Sequence, residues 1–377
     1  MIVAERAFAP AIHDPNHMAW AQPNFSRIEV NSAGRDLSQR TFPLQADQVM
    51  SVVNNWRSSH AFPLNTFQIY LRDKACQIEK SPLIAQRIKR LESIHLKLTR
   101  DQTNNMRLTQ MQDIGGCRAV VQNVKNVRLL VARFDRARFA HKLKGRKDYI
   151  LSPKADGYRG YHLVYEYRGK NHTCVWDGLK IEIQIRSQMQ HAWATSVESV
   201  STFTRQALKA NQGDEEWRRF FTLMSAAIAA MEKAPAVPGT PSDHKELTRQ
   251  IAELATRLDV VDKLMAYNVT LENTKKEKNV KYYVVKLDFN ARLVHYSAFG
   301  KLESEDANAF YTATESSISE NDNIQVVLVS VDSLTALKRA YPNYFLDTKR
   351  FAELVTRAVS GRYPAPQVPT SQLSLAF

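Results

Sequence analysis

Residues 179–187 read Leu-Lys-Ile-Glu-Ile-Gln-Ile-Arg-Ser, and no other stretch constrains the fold as tightly. Apolar and polar side chains alternate without a break, which is the period of a half-buried strand. Ile181, Ile183 and Ile185 must face a core, which places Glu182, Gln184 and Arg186 together on the opposite face. A strand with one apolar face needs a sheet around it and a layer of helices over its apolar side. A surface carrying a carboxylate, an amide and a guanidinium two residues apart is either a solvated edge or the floor of a site.

The surrounding pattern supplies both neighbours and covering layers. Tyr161 to Tyr167 reads as a strand, followed by a turn at Arg168-Gly169-Lys170-Asn171 and a further hairpin arm over Thr173 to Trp176. Cys117 to Val121 is short and β-rich, and Arg87-Ile88-Lys89 alternates as a strand would. Helical spacing runs from Asp47, from Thr66 to Ile78, from Asn126 to Leu143, from Met189 to about Thr204 and from Glu215 to Met231. Ser93 is placed to cap a helix that carries Lys97. Residues 1–45 contain Pro10, Pro15, Pro23 and Pro43 and read as an irregular leader. The expected architecture is α/β, a mixed sheet flanked by helices over residues 46–233. A Pro-rich linker follows at 234–241. Ser242 would then cap a long helix to about Lys275, leading into a smaller ββαβα unit built from strands 281–289, 292–299 and 324–331 and helices 304–318 and 333–357. Residues 242–377 are expected to fold separately and to regulate or recognise rather than catalyse.

Charge separates these two parts. Residues 1–241 hold 35 lysines and arginines against 21 acids, whereas residues 242–377 hold 17 against 17. The whole net charge of +14 therefore lies in the first part, which is expected to meet a polyanion. From Lys125 to Lys147 there are nine basic residues and one acid. No apolar run approaches the ~20 residues a membrane-spanning helix needs. The start shows no signal-peptide pattern, so a cytoplasmic setting is expected. Cys76, Cys117 and Cys174 lie far apart with no C-x-x-C pair, which argues for buried thiols rather than a metal site or disulfides.

The basic run leads into Lys147-Asp-Tyr-Ile-Leu-Ser-Pro-Lys154-Ala-Asp156-Gly157-Tyr158-Arg159-Gly-Tyr-His162. Gly157 can take positive φ, so the backbone can reverse there and leave Tyr158 at an exposed loop tip. A tyrosine ring among cations suits a flat base carrying phosphates. Asp113, just ahead of the Cys117 strand and followed by Gly115 and Gly116, is a candidate Mg²⁺ ligand, because magnesium takes one or two carboxylates plus substrate phosphates.

Taken in order, four pieces resemble the synthetase domain of the RelA/SpoT alarmone synthetases. They are Arg87-x-Lys89 with Ser93-Ile94 and Lys97, then Asp113-Ile-x-Gly116-x-Arg118, then Lys147-Asp-Tyr-Ile with Pro153-Lys154, Gly157-Tyr158-Arg159 and His162, and finally Glu182-Ile-Gln184-Ile-Arg186-Ser187. Together they span roughly residues 45–205. The resemblance implies a nucleotidyltransferase-like fold and a stand-alone enzyme of the stringent response. Such an enzyme moves pyrophosphate from ATP to the 3′-hydroxyl of GDP or GTP, giving (p)ppGpp and AMP with Mg²⁺. A toxin-like relative acting on the tRNA 3′ end is the alternative acceptor class, and an inactive RNA-binding module is the non-enzymatic one. By position, the resemblance makes Arg87, Lys89, Lys97 and Arg118 ATP-binding and Asp113 and Glu182 the catalytic and metal-binding carboxylates. It makes Lys147, Lys154, Tyr158, His162, Gln184 and Arg186 acceptor-binding. Asp156 stands where the family usually has asparagine, and an acid there is expected to weaken a guanine-nucleotide contact.

Overall fold

The computed structural model describes residues 20–39, 46–100, 106–138, 140–207, 214–266, 280–288, 293–318, 324–331 and 348–366. Its centre is a single mixed sheet. The strands are β1 (Leu83–Ile88), β2 (Gly115–Val121), β3 (Lys142–Asp148), β4 (Tyr161–Glu166), β5 (Lys180–Ser187), β6 (Val280–Asp288), β7 (Leu293–Gly300) and β8 (Ile324–Ser330). They lie in the order β3-β4-β5-β2-β1-β8-β6-β7. Only β2 and β5 run parallel; every other neighbouring pair is antiparallel.

The alternation of β5 is realised as expected. Ile181, Ile183 and Ile185 are fully buried, in one core with Leu64, Phe67 and Leu71 of helix α3 (Ala61–Cys76) and Val127, Leu130 and Phe134 of helix α5 (Val124–Asp135). The helices cover the isoleucine face because it has nothing else to bury against. Helix α2 (Ala46–Ser59) adds Val49, Val53 and Trp56 to the same core. A second core joins α6 (Gln188–Ala207), α7 (Asp214–Met231), α8 (His244–Arg257), α9 (Val260–Ala266) and α11 (Lys349–Val359), with Phe220, Leu247, Ile251 and Phe351 fully buried.

Several expectations change. Within the leader, Arg27–Gln39 forms helix α1, which buries Val30, Ala33 and Leu37; no proline interrupts it, and the apolar spacing suffices. The helix expected to reach Leu143 stops at Asp135, and Lys142–Asp148 is an edge strand, β3. Its sequence is polar on both faces because an edge in solvent has little to bury, so no alternation marks it. Thr173 to Trp176 belongs to a 3₁₀ turn, Asn171–Trp176, rather than a hairpin arm. Helix α4 (Leu91–Arg100) begins two residues before Ser93, which therefore does not cap it. Asp243, not Ser242, caps α8 by accepting from Glu246 N–H. The long helix breaks at Asp259, whose φ is +51°, and continues as α9. Its expected end near Lys275 and the first part of the helix expected at 333–357 lie outside the described residues. Cys117 is buried, but Cys76 and Cys174 are exposed.

The C-terminal strands join the central sheet. β8 pairs with β1 through Gln86 opposite Ser330 and Arg87 opposite Val329. Across that seam the buried Arg57 of α2 donates to Tyr311 Oη at 2.8 Å and pairs with Glu315 at 2.9 Å, both on helix α10 (Ser304–Ser316). Glu315 also accepts from Leu91 N–H at the start of α4, at 3.1 Å. The stretch read as a linker is packed: Ala234, Ala236 and Val237 are buried, and the Pro235 carbonyl accepts from Arg159. Alanines and a valine beside prolines look like a spacer in composition, but they fit a surface that needs small side chains.

Candidate active site

Strand register assembles the site. In a sheet, laterally paired residues point to the same face. One row across the polar face reads Arg87 (β1), Gly116 (β2) and Glu182 (β5). The next reads Arg118 (β2), Gln184 (β5), His162 (β4) and Lys147 (β3). Seven positions from five separate strands of the sequence thus fall into two adjacent rows. Gly116 leaves the space between Arg87 and Glu182 open, since a Cβ there would meet only the Glu182 carbonyl oxygen, at 3.9 Å. Lys89 and Asp113 flank the first row: Lys89 follows the end of β1, Asp113 precedes β2, and the Lys89 N–H bonds the Ile114 carbonyl at 2.8 Å.

Asp113 is held by charge. Its two oxygens take Lys89 Nζ at 2.8 Å and Lys97 Nζ at 2.9 Å. Burial pushes its carboxyl up, but the two ammonium groups outweigh burial and keep it below the usual carboxylate range. Burial in turn lowers the Lys89 ammonium, against the pull of Asp113. Behind Lys89, Arg57 Nε donates to the Lys89 carbonyl at 3.1 Å and fixes the backbone from which the lysine projects.

Glu182 is held by hydrogen bonds. His162 Nδ1 lies 2.9 Å from Oε1, and Gln184 Nε2 donates to Oε2 at 2.7 Å. Burial raises the carboxyl, yet the bonds from His162 and Gln184 bring it below its ordinary value, while the Asp113 charge opposes them. Asp113 lies three residues before Gly116, the register partner of Glu182, so the two carboxylates sit at the same end of β2 and β5.

The loop between β3 and β4 lies against the helices rather than standing free. Gly157 takes φ +93°, as its sequence position implies, and a Cβ there would meet Ser225 Cβ at 2.9 Å and Trp193 at 3.1 Å. Ser225 Oγ donates to the Gly157 carbonyl at 2.6 Å. The neighbouring Arg159 is buried and spends its guanidinium on Ser225 Oγ, the Ile150 carbonyl and the Pro235 carbonyl. Burial lowers Arg159 to about 10. Asp156 Oδ1 accepts the Tyr158 N–H at 2.9 Å. The acid at 156 therefore shapes the turn, a task an asparagine oxygen would perform equally.

Tyr158 is half-buried, not an exposed tip. Its hydroxyl lies 2.6 Å from His162 Nε2 and accepts from Arg186 Nη2 at 2.8 Å. Burial raises the phenol, with Arg186 opposing. The Tyr158 ring carries Lys154 Nζ at 5.1 Å and Arg186 Cζ at 5.0 Å from its centroid, and Tyr149 meets it edge-on. Arg186 is only 6% exposed and lies within this network. Lys147 and Lys154 are exposed, on β3 and on the loop. Sequence reasoning missed Arg57 and Ser225, which act from outside the motifs, and gave no role to Arg159 within the third one. Only Arg159, beside Gly157-Tyr158, carried a local signal.

The segment from residue 86 to 206 matches the family described as "Region found in RelA / SpoT proteins". Residues 86–206 thus resemble a RelA/SpoT region. The match begins at β1 and ends in α6, so it contains every motif residue named above. Over 130 residues the chain is 33% identical to the GTP pyrophosphokinase YjbM of Bacillus subtilis (strain 168), covering 33% of this chain and 58% of that protein. The chain thus matches under two thirds of that relative's length. Among solved structures, the small alarmone synthetase 1 from Bacillus subtilis bound to its product pppGpp is 22% identical, over 54% of this chain and 94% of that one, with a TM-score of 0.35. A GTP pyrophosphokinase family protein from Streptococcus pneumoniae is 25% identical, over 56% and 95%, also with a TM-score of 0.35. Among the described residues, no helix is long and apolar enough to cross a membrane.

Proposed function

We propose that the RelA/SpoT region transfers pyrophosphate from ATP to the 3′-hydroxyl of GDP or GTP. The observation that carries this reading is the register of β1, β2 and β5, extended by the bond from Lys89 N–H to the Ile114 carbonyl, which brings Lys89, Asp113 and Glu182 to one end of these strands. Two carboxylates at one end of these strands, ringed by cations, suit a reaction in which catalysis is positioning plus neutralisation of charge on phosphates. In this reading Arg87, Lys89, Lys97 and Arg118 bind the ATP phosphates. Lys147 and Lys154 face the acceptor phosphates, His162 holds Glu182 beside them rather than binding phosphate itself, and the Tyr158 ring stacks on the base. Glu182 accepts the proton of the attacking hydroxyl. The oxygen bonds to the β-phosphorus, the bond between that phosphorus and the α,β-bridging oxygen breaks, and AMP leaves with the electron pair.

Asp113 and Glu182 fit Mg²⁺, whose usual protein complement is one or two carboxylates beside substrate phosphates. The metal would supply Lewis-acid neutralisation of the transferring group. Lys89 and Lys97 already neutralise Asp113, so the pairing that holds the carboxylate in place also presents two ammonium groups to incoming phosphates.

The relative named as a GTP pyrophosphokinase supports the guanine-nucleotide acceptor, and so does the turn-forming role of Asp156, which removes an objection to it. One observation favours a tRNA 3′ end instead. β3 is an edge strand that leaves Lys142, Lys144 and Lys147 exposed beside the acceptor loop, and backbone phosphates dominate nucleic-acid affinity. The deciding experiment incubates the protein with labelled ATP and GDP, GTP or tRNA, then repeats the assay after charge reversal at Arg136, Arg138, Lys142 and Lys144. Label transfer to GDP or GTP that survives the reversal is expected. Transfer to tRNA alone, lost on reversal and falling steeply with salt, would replace this reading with the second.

A further inference from the structure

We propose that Arg186 is a positioning residue that orients Glu182 through two hydrogen-bonded arms leaving the same guanidinium nitrogen. The proposal rests on the reading of Glu182 as the group facing the acceptor hydroxyl. It departs from the expectation that Arg186 binds the acceptor.

Arg186 Nη2 donates to Tyr158 Oη at 2.8 Å and to Gln184 Oε1 at 3.0 Å. From Gln184 the amide nitrogen continues to Glu182 Oε2, and from Tyr158 the chain runs through His162 to Glu182 Oε1. The two arms leave one nitrogen and end on the two oxygens of one carboxylate.

Donor counting fixes the direction of each arm. A guanidinium can only donate. The Gln184 carbonyl oxygen must therefore face Arg186, which turns its NH₂ toward Glu182. The Tyr158 oxygen accepts from Arg186, so its single proton is left for His162 Nε2. A neutral imidazole that accepts at Nε2 carries its proton at Nδ1, and Nδ1–H then donates to Glu182. Each bond of the two arms then runs from a donor to an acceptor, while Arg186 Nε is buried without a partner. An acceptor at position 186 would reverse both arms, pointing the Gln184 carbonyl oxygen at a carboxylate.

The surroundings keep the guanidinium where it is. Arg186 is buried, and a Cβ at Gly160 would press on its Cγ at 3.3 Å and on Tyr158 Oη at 3.3 Å. Glycine at 160 lets these two side chains close up without displacement. Each carboxylate oxygen has two lone-pair sites. One arm per oxygen therefore fixes the plane of the carboxylate and leaves acceptor capacity on each for a hydroxyl.

The test compares wild-type protein with Arg186→Met and Arg186→Lys. Loss of a partner that orients a reacting group costs about 10–100-fold. For Arg186→Met we expect kcat to fall by that factor while the acceptor KM moves less than about threefold, the pattern of an interaction that acts on the reacting group rather than on binding. Arg186→Lys should recover most of the loss, since both bonds come from one nitrogen that an ammonium can replace. In wild-type protein labelled with ¹⁵N-histidine, His162 should show the Nδ1–H tautomer, and in Arg186→Met a mixture of tautomers. A raised KM with kcat kept would make Arg186 an acceptor ligand and overturn the proposal, as would an unchanged His162 tautomer in Arg186→Met. If wild-type protein releases AMP with no acceptor, the functional reading fails, and the tautomer measurement still decides the arms. If Arg186→Met does not fold, the double variant Tyr158→Phe with Gln184→Met cuts both arms and keeps the buried charge. It must reproduce the loss of kcat and the mixed tautomers, and wild-type behaviour in it would overturn the proposal.

Discussion

The corners around Asp113 and Glu182 hold their carboxylates by opposite means. Asp113 is gripped by two ammonium groups from elements on either side of it, Lys89 after β1 and Lys97 on α4. Glu182 is gripped by a histidine and an amide from its own strand and the next. Charge pairing neutralises a group but tolerates movement, because lysine is a flexible point charge. Directed hydrogen bonds orient a group without cancelling its charge. The first arrangement suits a carboxylate that shares phosphates and metal with its partners, the second one that must face a single hydroxyl. Both carboxyls are depressed, so both stabilise the fold at neutral pH, and that contribution is lost as pH falls through their folded values.

The largest expected effect breaks both corners alike. Asp113→Asn and Glu182→Gln should each lower turnover by about 10²–10⁴-fold in well-folded protein, measured as AMP release. Near-normal turnover in either would remove that residue from the mechanism. The corners should then respond differently to Arg57→Met. Arg57 buttresses Lys89 and makes a buried pair with Glu315, so its loss should cost about 3–5 kcal/mol of stability in denaturant unfolding. Partial unfolding should begin around β1 and β8, with hydrogen exchange at β4 and β5 affected last; uniform loss of protection would show that the two corners are not separable. For the same reason a fragment ending near residue 238 should not keep the stability of the whole chain, because β1 loses β8 and Arg57 loses Tyr311 and Glu315.

A smaller effect lies beneath both corners. His60 is buried, bonds the Trp56 carbonyl through Nδ1 and is lowered by burial from 6.5 to about 4. It favours the folded state fully above the unfolded value, and that contribution drains away between about 6.5 and about 4 as the unfolded chain takes up the proton first. The difference is worth about 3 kcal/mol. His60→Gln should flatten this part of the stability–pH curve, and an unchanged slope would assign it to other groups. Least is expected of Tyr158→Phe, about a tenfold fall in kcat. It keeps the ring but cuts one arm to Glu182, so it should disturb that corner alone. A change in acceptor KM with kcat intact would mean that the hydroxyl contacts the acceptor rather than orienting Glu182.

Much of this site was legible in the chain. The alternation of 179–187 placed Glu182, Gln184 and Arg186 on one face, and the glycine at 157 marked a reversal that the backbone makes at φ +93°. The edge strand β3 was not legible, because a solvent-facing edge imposes no alternation on its sequence. Nor was the packed role of 234–237, because small apolar residues beside prolines have the composition of a spacer whether or not something lies against them.

By itself the sequence determined the strand period, the segregation of charge and the types of side chain available for chemistry. These follow from local rules, in which each residue answers to neighbours two to four positions away. Only the tertiary structure decided that Arg186 meets the Tyr158 hydroxyl from the loop between β3 and β4. The same holds for the contact of Glu315 with Arg57 and with the start of α4, and for Arg159 tying the loop between β3 and β4 to α7 and Pro235. Those contacts join residues up to 258 positions apart, Arg57 and Glu315 being the widest pair. No local pattern encodes them, because a buried polar group takes whichever partner the packing of distant segments brings within reach.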